Sequence, residues 1–250
     1  MKLSARSLLA GLLVLVVAAT CVRLGFWQLD RLAQRRVRNA ALAAGRALPP
    51  LALDSAAAAA VAAGPAPYLN RRVRVRGVYD PAGDVVLRGR AQEGKPGVHL
   101  VTPLRIAGSA AAVLVNRGWV PSPDATSLDR RRFAEPGVRE VTGFFQEVPR
   151  AESRGQPSAR AGRDTTFRRL DLETVRARAR YPVLPLYVQL LPDSAAPAQA
   201  PPYPVPAPSL DEGPHLGYAI QWFSFAAIAV VGLAVVALRN RRGQGTGDRG

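Results

Sequence analysis

The chain has 250 residues, a formal net charge of +16 and an isoelectric point near 11.4. Its length fits one or two domains, and its hydrophobic fraction of 48% is ordinary for a globular chain but gathers towards the two ends. The basic excess is nearly all arginine and is scattered without a recognisable nucleic-acid module, so it points to anionic lipid headgroups or an acidic protein partner rather than to nucleic acid.

The first predicted element is a membrane span. Leu8 to Val22 is almost wholly apolar and follows Lys2 and Arg6. Arg23 interrupts the run, and Leu24-Gly25-Phe26-Trp27 continues it. A helix over residues 7–27 reaches across a bilayer if Arg23 snorkels to the interface. The rival reading is a cleaved signal peptide, with Ala18-Ala19-Thr20-Cys21 as a poor lipoprotein box. The apolar pattern runs past that position to Trp27, an interface residue, which favours a retained anchor. Cys21 is the single cysteine, so an intramolecular disulfide and a Cys-based zinc site are both excluded. If the helix continues, Trp27, Arg31 and Arg35 share a face at spacings of four. That face reads either as an aromatic anchor with lipid-phosphate contacts or as a docking face for a partner or an anionic ligand group.

Residues 28–213 read as a separate β-rich domain. Within it, residues 45–67 are rich in Ala and Pro, a loop or a short helix over Ala56–Ala63. From Arg71 the period becomes two: Val73, Val75 and Gly77 alternate with Arg72, Arg74 and Arg76, the pattern of a half-buried strand. Asp80-Pro81-Ala82-Gly83-Asp84 is a turn, and Val85-Val86-Leu87 answers as the second arm of a hairpin. Further strands are expected at Val98–Leu104, Ala112–Val120, Val138–Val148 and Leu184–Leu191. A helix is expected at Asp171–Ala179, capped by Asp171. The segments Ser122–Pro136 and Pro149–Thr166 are polar and irregular. In Asn116-Arg117-Gly118-Trp119, a glycine inside a strand marks a bulge or a close backbone approach.

A Pro-rich linker, residues 192–208, leads to the second span. Residues 214–238 form this predicted helix, cleanest from Tyr218 to Leu238, with Asp211 and Glu212 before it and Arg239, Arg241 and Arg242 after it. The positive-inside rule places the tail 239–250 in the cytoplasm, residues 1–6 with it, and the β-rich domain outside. Arg31, Arg35, Arg36 and Arg38 resist this, since they put a basic cluster on the outer side of the first span. The expected class is therefore an α+β membrane protein, with two transmembrane helices bracketing an antiparallel β-rich extracytoplasmic domain.

Chemistry-bearing residues are few. No nucleophile elbow, P-loop, dinucleotide fingerprint or His-rich metal spacing occurs. Of the two histidines, His99 sits in an apolar strand, where a satisfied structural histidine is the default. His215 opens the second span, with Tyr218 and Trp222 following at i+3 and i+7. It either makes a hydrogen bond at the helix start or meets a ligand. An imidazole beside flat aromatic surface at the membrane boundary suits an amphipathic planar group such as a haem, whose iron accepts a histidine. Arg23, Arg31 or Arg71 could meet its carboxylates.

Five strings in order resemble one family: Leu24-Gly-Phe-Trp-Gln-Leu-Asp-Arg31, Arg72-Val-Arg-Val-Arg-Gly-Val-Tyr79, His99-Leu-Val-Thr-Pro-Leu104, Val115-Asn-Arg-Gly-Trp-Val120 and His215-Leu-Gly-Tyr-Ala-Ile-Gln-Trp-Phe223. With the two bracketing spans they resemble the surfeit locus 1 family of cytochrome c oxidase assembly factors over nearly the whole chain. The resemblance implies a non-enzymatic protein of the bacterial plasma membrane that binds haem a transiently and helps it reach the oxidase catalytic subunit. The alternative it leaves is a membrane-anchored scaffold that steadies an oxidase subunit without haem. It implies His215 as the iron ligand, Tyr218 and Trp222 as flanking groups, and Trp27 and Arg31 as groups from the other span. It makes Gly118 a position intolerant of substitution. Its implied partners are the haem–copper oxidase catalytic subunit, haem a synthase and membrane lipid.

Overall fold

A computed structural model describes residues 5–148, 166–192 and 200–244, and the chain divides into two units, residues 1–41 with 210–250 and residues 42–209. The polar segment 149–165, residues 193–199 of the Pro-rich linker and the extreme termini lie outside the described residues.

The first unit is helical. Helix α1 runs without a break from Ala5 to Ala47, 43 residues. No proline interrupts it, and Pro49-Pro50 follow its end. At 1.5 Å per residue it is about 65 Å long, roughly twice the hydrocarbon thickness of a bilayer. The helix therefore does not stop at Trp27. Helix α4, His215–Gln244, begins directly after Gly213 and Pro214, and Tyr218 N–H closes the first turn on Pro214 O at 3.0 Å. Both helices are long and apolar enough to cross a membrane.

The two helices pack antiparallel, because neighbours on α1 and α4 run in opposite order. A Cβ built on Gly11 lies 3.8 Å from Leu233, one on Gly25 lies 2.5 Å from the Phe223 ring, and Gln28 reaches His215 at 2.9 Å. Within the first unit the buried positions of α1 are Ala18, Cys21, Gly25, Leu32 and Asn39, and those of α4 are Ala219 and Ala226. Their spacings of three, four and seven are those of a coiled-coil seam, and small residues let the backbones approach. Leu8, Leu12, Val16, Ile228 and Val231 point outward, as lipid-facing side chains do. Above the apolar part, Arg35 Nε donates to Asp211 O at 2.9 Å and Arg36 holds both Glu212 oxygens at 2.8 and 2.9 Å. Asn39 Nδ2 donates to Leu210 O at 2.7 Å. Part of the basic cluster after the first span is thus answered by the acidic segment before the second.

The second unit holds strands β1 (Leu51–Ala52), β2 (Arg72–Tyr79), β3 (Val85–Gln92), β4 (Lys95–Ile106), β5 (Ala112–Pro121), β6 (Val138–Glu147), β7 (Thr166–Phe167) and β8 (Val183–Leu190), with helices α2 (Ser55–Ala63) and α3 (Leu172–Arg178). Their order is β1-β2-β6-β8-β5-β4-β3-β7, and a further β2–β4 pairing closes β2, β6, β8, β5 and β4 into a ring. Four junctions of that ring are antiparallel and β5–β8 is parallel. A closed ring with an odd number of strands cannot alternate throughout, so one parallel junction is geometrically required. β1 on β2 and β7 on β3 are also parallel, as short additions at the edges.

All five ring strands feed one interior: Val73 and Val75, Leu104 and Ile106, Val113 and Val115, Val141 and Phe145, and Leu184, Leu186 and Val188. Helix α2, whose N-terminus is capped by Asp54 Oδ1 on Ala57 N–H at 2.8 Å, adds Ala58 and Val61 to this core. A second core lies on the other face of the sheet, where Val85, Leu87, Val101 and Leu114 meet Phe167, Leu172 and Val175. Asp171 caps α3 through Oδ2 on Thr174 N–H at 3.0 Å. β5 lies between the two cores, which is why it is buried from Ala112 to Val120 and reads as an unbroken apolar run at its start.

Candidate functional site at the start of the second apolar helix

His215 is the first residue of α4 and stands opposite α1 in the helix pair. Its Nδ1 lies 2.9 Å from Gln28 Oε1. An amide oxygen only accepts, so Nδ1 carries the proton and Nε2 keeps its lone pair. Gly213, in the left-handed region at φ +72°, stands beside that nitrogen: a Cβ there would lie 3.7 Å from Nε2 and 3.6 Å from Cδ2. The chain thus fixes one ring nitrogen and leaves a glycine next to the other. That is how proteins hold a histidine for an iron, orienting it through its second nitrogen.

Tyr218 and Trp222 follow on the helix at i+3 and i+7. Tyr218 is 48% exposed, whereas Trp222 is partly buried and meets Phe225 edge to face at 5.9 Å. Trp27 is also 48% exposed and carries the Arg31 guanidinium over its ring at 5.4 Å. Arg31 donates to Gln34 at 3.2 Å and has no carboxylate partner among the described residues. Trp27 and Arg31 therefore pair on α1 itself. The aromatic contact between the two helices is made instead by Phe26 and Phe223, at 5.3 Å and 77°. Gln28 and Gly213 are the positions beside His215 that sequence reasoning passed over. The seam spacing Cys21, Gly25, Gln28, Leu32 was the available signal for Gln28.

These residues fit a haem in chemical type: an imidazole nitrogen with a lone pair, apolar aromatic surface beside it, and on the other helix a guanidinium with no carboxylate partner among the described residues. Among the described residues no group of three His, Cys, Asp or Glu side chains could hold a metal ion on its own. Arg71 belongs to the second unit, where its Nε donates to Pro49 O at 2.9 Å.

The Asn116-Arg117-Gly118-Trp119 string builds structure in the barrel. Leu100 faces Gly118 and Val101 faces Asn116, so Arg117 is the extra residue of a bulge. Arg117 is buried, pairs with Glu135, donates to Phe133 O at 2.7 Å and lies 4.9 Å over the Tyr79 ring. Burial pushes the Tyr79 hydroxyl up to about 12. Gly118 has φ +131°, and a Cβ on it would stand 2.1 Å from Tyr203 O. Tyr203, from the Pro-rich linker, exchanges both backbone hydrogen bonds with Trp119 at 2.7 and 2.8 Å and stacks on its ring at 6.2 Å. His99 is held neutral, its pKa lowered to about 4 by burial and then by Arg90.

The SURF1 family profile matches residues 15–227. An uncharacterized SURF1-like protein of Mycobacterium bovis is 29% identical over 199 residues, 71% of this chain and 65% of the relative. This chain therefore spans a little under two thirds of that relative's length. A SURF1-like protein of Rickettsia felis is 26% identical over 243 residues, covering 92% of this chain and 97% of the relative. One from Monosiga brevicollis is 25% identical over 251 residues, covering 94% and 90%.

Proposed function

Because the chain belongs to the SURF1 family, which is associated with cytochrome oxidase assembly, we propose that it is a membrane-anchored assembly factor that binds haem a and aids its delivery to the catalytic subunit of a haem–copper oxidase. The observation that carries this reading is the His215–Gln28 contact, with Nδ1 engaged and Nε2 left beside a glycine. A bound haem would bring a redox-active iron that accepts an axial imidazole, and His215 is the residue to supply it. Tyr218 and Trp222 offer apolar surface on the same helix face, and Arg31 offers a carboxylate partner. One protein-supplied axial nitrogen suits a carrier that must release its cargo. Haem a synthase as donor and the oxidase catalytic subunit as acceptor are the partners this role requires.

The test is a visible spectrum of the full-length protein purified in detergent from cells that make haem a. Wild type should carry pigment, and His215→Ala should lose it. Gln28→Leu, which frees the ring to choose its tautomer, should retain on the order of 10-fold less haem after washing, the usual scale for lost orienting contacts. A colourless wild-type preparation with normal oxidase assembly would leave the scaffold reading standing. Pigment that persists unchanged in His215→Ala would remove His215 as ligand.

We further propose both termini in the cytoplasm and residues 42–209 outside. Arg239 follows the second span, while Arg35 and Arg36 after the first are engaged by the segment that precedes α4, and a long translocated domain weakens the charge rule. Since Cys21 is the only native cysteine and is buried, a single introduced thiol reports topology. Ser127→Cys should label with an impermeant maleimide in intact cells, and Ser4→Cys should label only after lysis. The reverse pattern overturns the orientation.

A further inference from the structure

Four arginines of the β-rich unit gather at a place that the helix-pair site does not use. A cleft of about 630 Å³ is lined by Arg88, Arg90, Arg168 and Arg169. Two of these, Arg90 and Arg169, also line a neighbouring pocket of about 320 Å³ whose wall includes His99, Asn116, Tyr187 and Gln189. The geometry has a local cause. Between Leu87 and Arg90, β3 carries one extra residue relative to β4, with Gly89 at φ +69° donating its N–H to Ala125 O at 2.8 Å. That bulge turns the arginine-bearing end of β3 towards residues 124–126. Arg90 Nη2 donates to Arg168 O at 3.1 Å, while its Nε is buried and has no partner among the described residues. Arg88 and Arg169 form no ion pair among the described residues.

The acidic groups nearby offset this cluster only in part, one carboxylate lining the cleft against four arginines. Asp124 lines the cleft, but its carboxylate accepts from Ser122 Oγ at 2.7 Å and from Thr126 and Ser127 N–H at 2.9 Å each. Those bonds hold it well below the usual carboxylate range. Glu147 lines the inner pocket, where it would repel a second negative charge. Apart from Glu147, Arg90 and Arg169 the inner wall is uncharged, with aliphatic side chains beside a hydrogen-bond chain. Gly118 N–H donates to Asn116 Oδ1 at 3.2 Å, Asn116 Nδ2 to Gln189 Oε1 at 3.0 Å, and Gln189 Nε2 to Val205 O at 3.4 Å. Asn116 Nδ2 also stands 3.5 Å from His99 Nδ1, so that nitrogen accepts and Nε2 carries the ring proton.

We infer that this cleft and pocket form a binding site for a small soluble organic phosphate: its phosphate lies among Arg88, Arg90 and Arg169, and its uncharged, hydroxyl-bearing body lies against His99 and Tyr187. Guanidinium forks match phosphate oxygens in pairs, and the orphaned Arg90 Nε gains an acceptor. Leu87, Val101, Leu170 and Val205 pack against the carbon skeleton of the ligand while His99 and Tyr187 meet its hydroxyls, and Glu147 selects against a second anion.

Full-length protein in detergent is titrated calorimetrically with sn-glycerol 3-phosphate, inorganic phosphate and glycerol, each at one ionic strength set with sodium chloride. Glycerol 3-phosphate should bind saturably with a dissociation constant below about 1 mM, more tightly than inorganic phosphate, and glycerol should not bind. Arg88→Ala combined with Arg169→Ala alters two exposed side chains and should weaken both phosphates by 10-fold or more, with an unchanged circular dichroism spectrum. Tyr187→Phe should remove the preference for glycerol 3-phosphate while leaving inorganic phosphate binding as it was. His215→Ala should bind both like wild type. Heats that follow chloride alone, or an arginine double variant that binds like wild type, overturn the site. Equal affinity for the two phosphates in wild type overturns the assignment of the inner pocket to the ligand body.

Discussion

Gly118 and His99 show what single residues decide in the barrel. At Gly118 the space for a Cβ is filled by a backbone carbonyl, Tyr203 O at 2.1 Å, and the φ of +131° disfavours any L side chain. Backbone cannot yield as a flexible side chain can, so Gly118→Ala should cost about 3 kcal/mol or more, measured as a fall in the denaturation midpoint of the detergent-solubilised protein. The glycine's constraint was legible in the sequence as a close approach within a strand. The segment that approaches was not, because Tyr203 comes from a Pro-rich stretch with no strand pattern of its own. His99 makes a pH prediction. Its folded pKa, about 4, lies below the ordinary 6.5, so the unfolded chain binds the proton more readily. The resulting stability is fully present above pH 6.5 and is lost as the pH falls towards 4, on the order of 2–3 kcal/mol for this group alone. His99→Gln should flatten that part of the stability profile.

At the scale of elements, the helix pair depends on small residues at its seam. A Cβ on Gly25 already meets the Phe223 ring at 2.5 Å, so Gly25→Leu should force α1 and α4 apart. Loss of the His215–Gln28 contact should follow, read under the proposed function as release of haem without any change at either residue. Arg36 and Glu212 lie on exposed surface, and their contact holds the Glu212 carboxyl below its usual range. Arg36→Glu should weaken the register of the pair at low salt, and Arg36→Glu with Glu212→Arg should restore it, with both effects fading in high salt. The apolar runs made both helices legible. The extension of α1 to Ala47 was hidden because residues 28–47 are polar on most faces, and what they pack against comes from the far end of the chain. The same separation hides from the sequence that Gln28, one position after Trp27, meets His215 on α4.

At the scale of the whole molecule, barrel closure is set by contacts that no local pattern encodes. β6 and β8 approach so closely at Gly143 that a Cβ there would stand 2.3 Å from Gln189 O. Gly143→Val should break the β6–β8 junction and with it the ring, seen as loss of cooperative unfolding in the β-rich unit. Residue order by itself determined the two apolar spans, the alternating strand of Arg72–Tyr79, the capped helix at Asp171 and the family's ordered strings. Each of these rests on a period, a cap or a short string within a few positions of sequence, so local chemistry is enough. The expected hairpin of Arg72–Tyr79 with Val85–Leu87 does not form, because β2 pairs with β4 and β6 and β3 pairs with β4 and β7. Only the tertiary structure decided the parallel β5–β8 junction, the linker strand at Trp119, the arginine cleft beside Arg90 and the Gln28 partner of His215. Those join residues tens to nearly two hundred positions apart, and they exist because burial and hydrogen bonding are satisfied across the chain rather than along it.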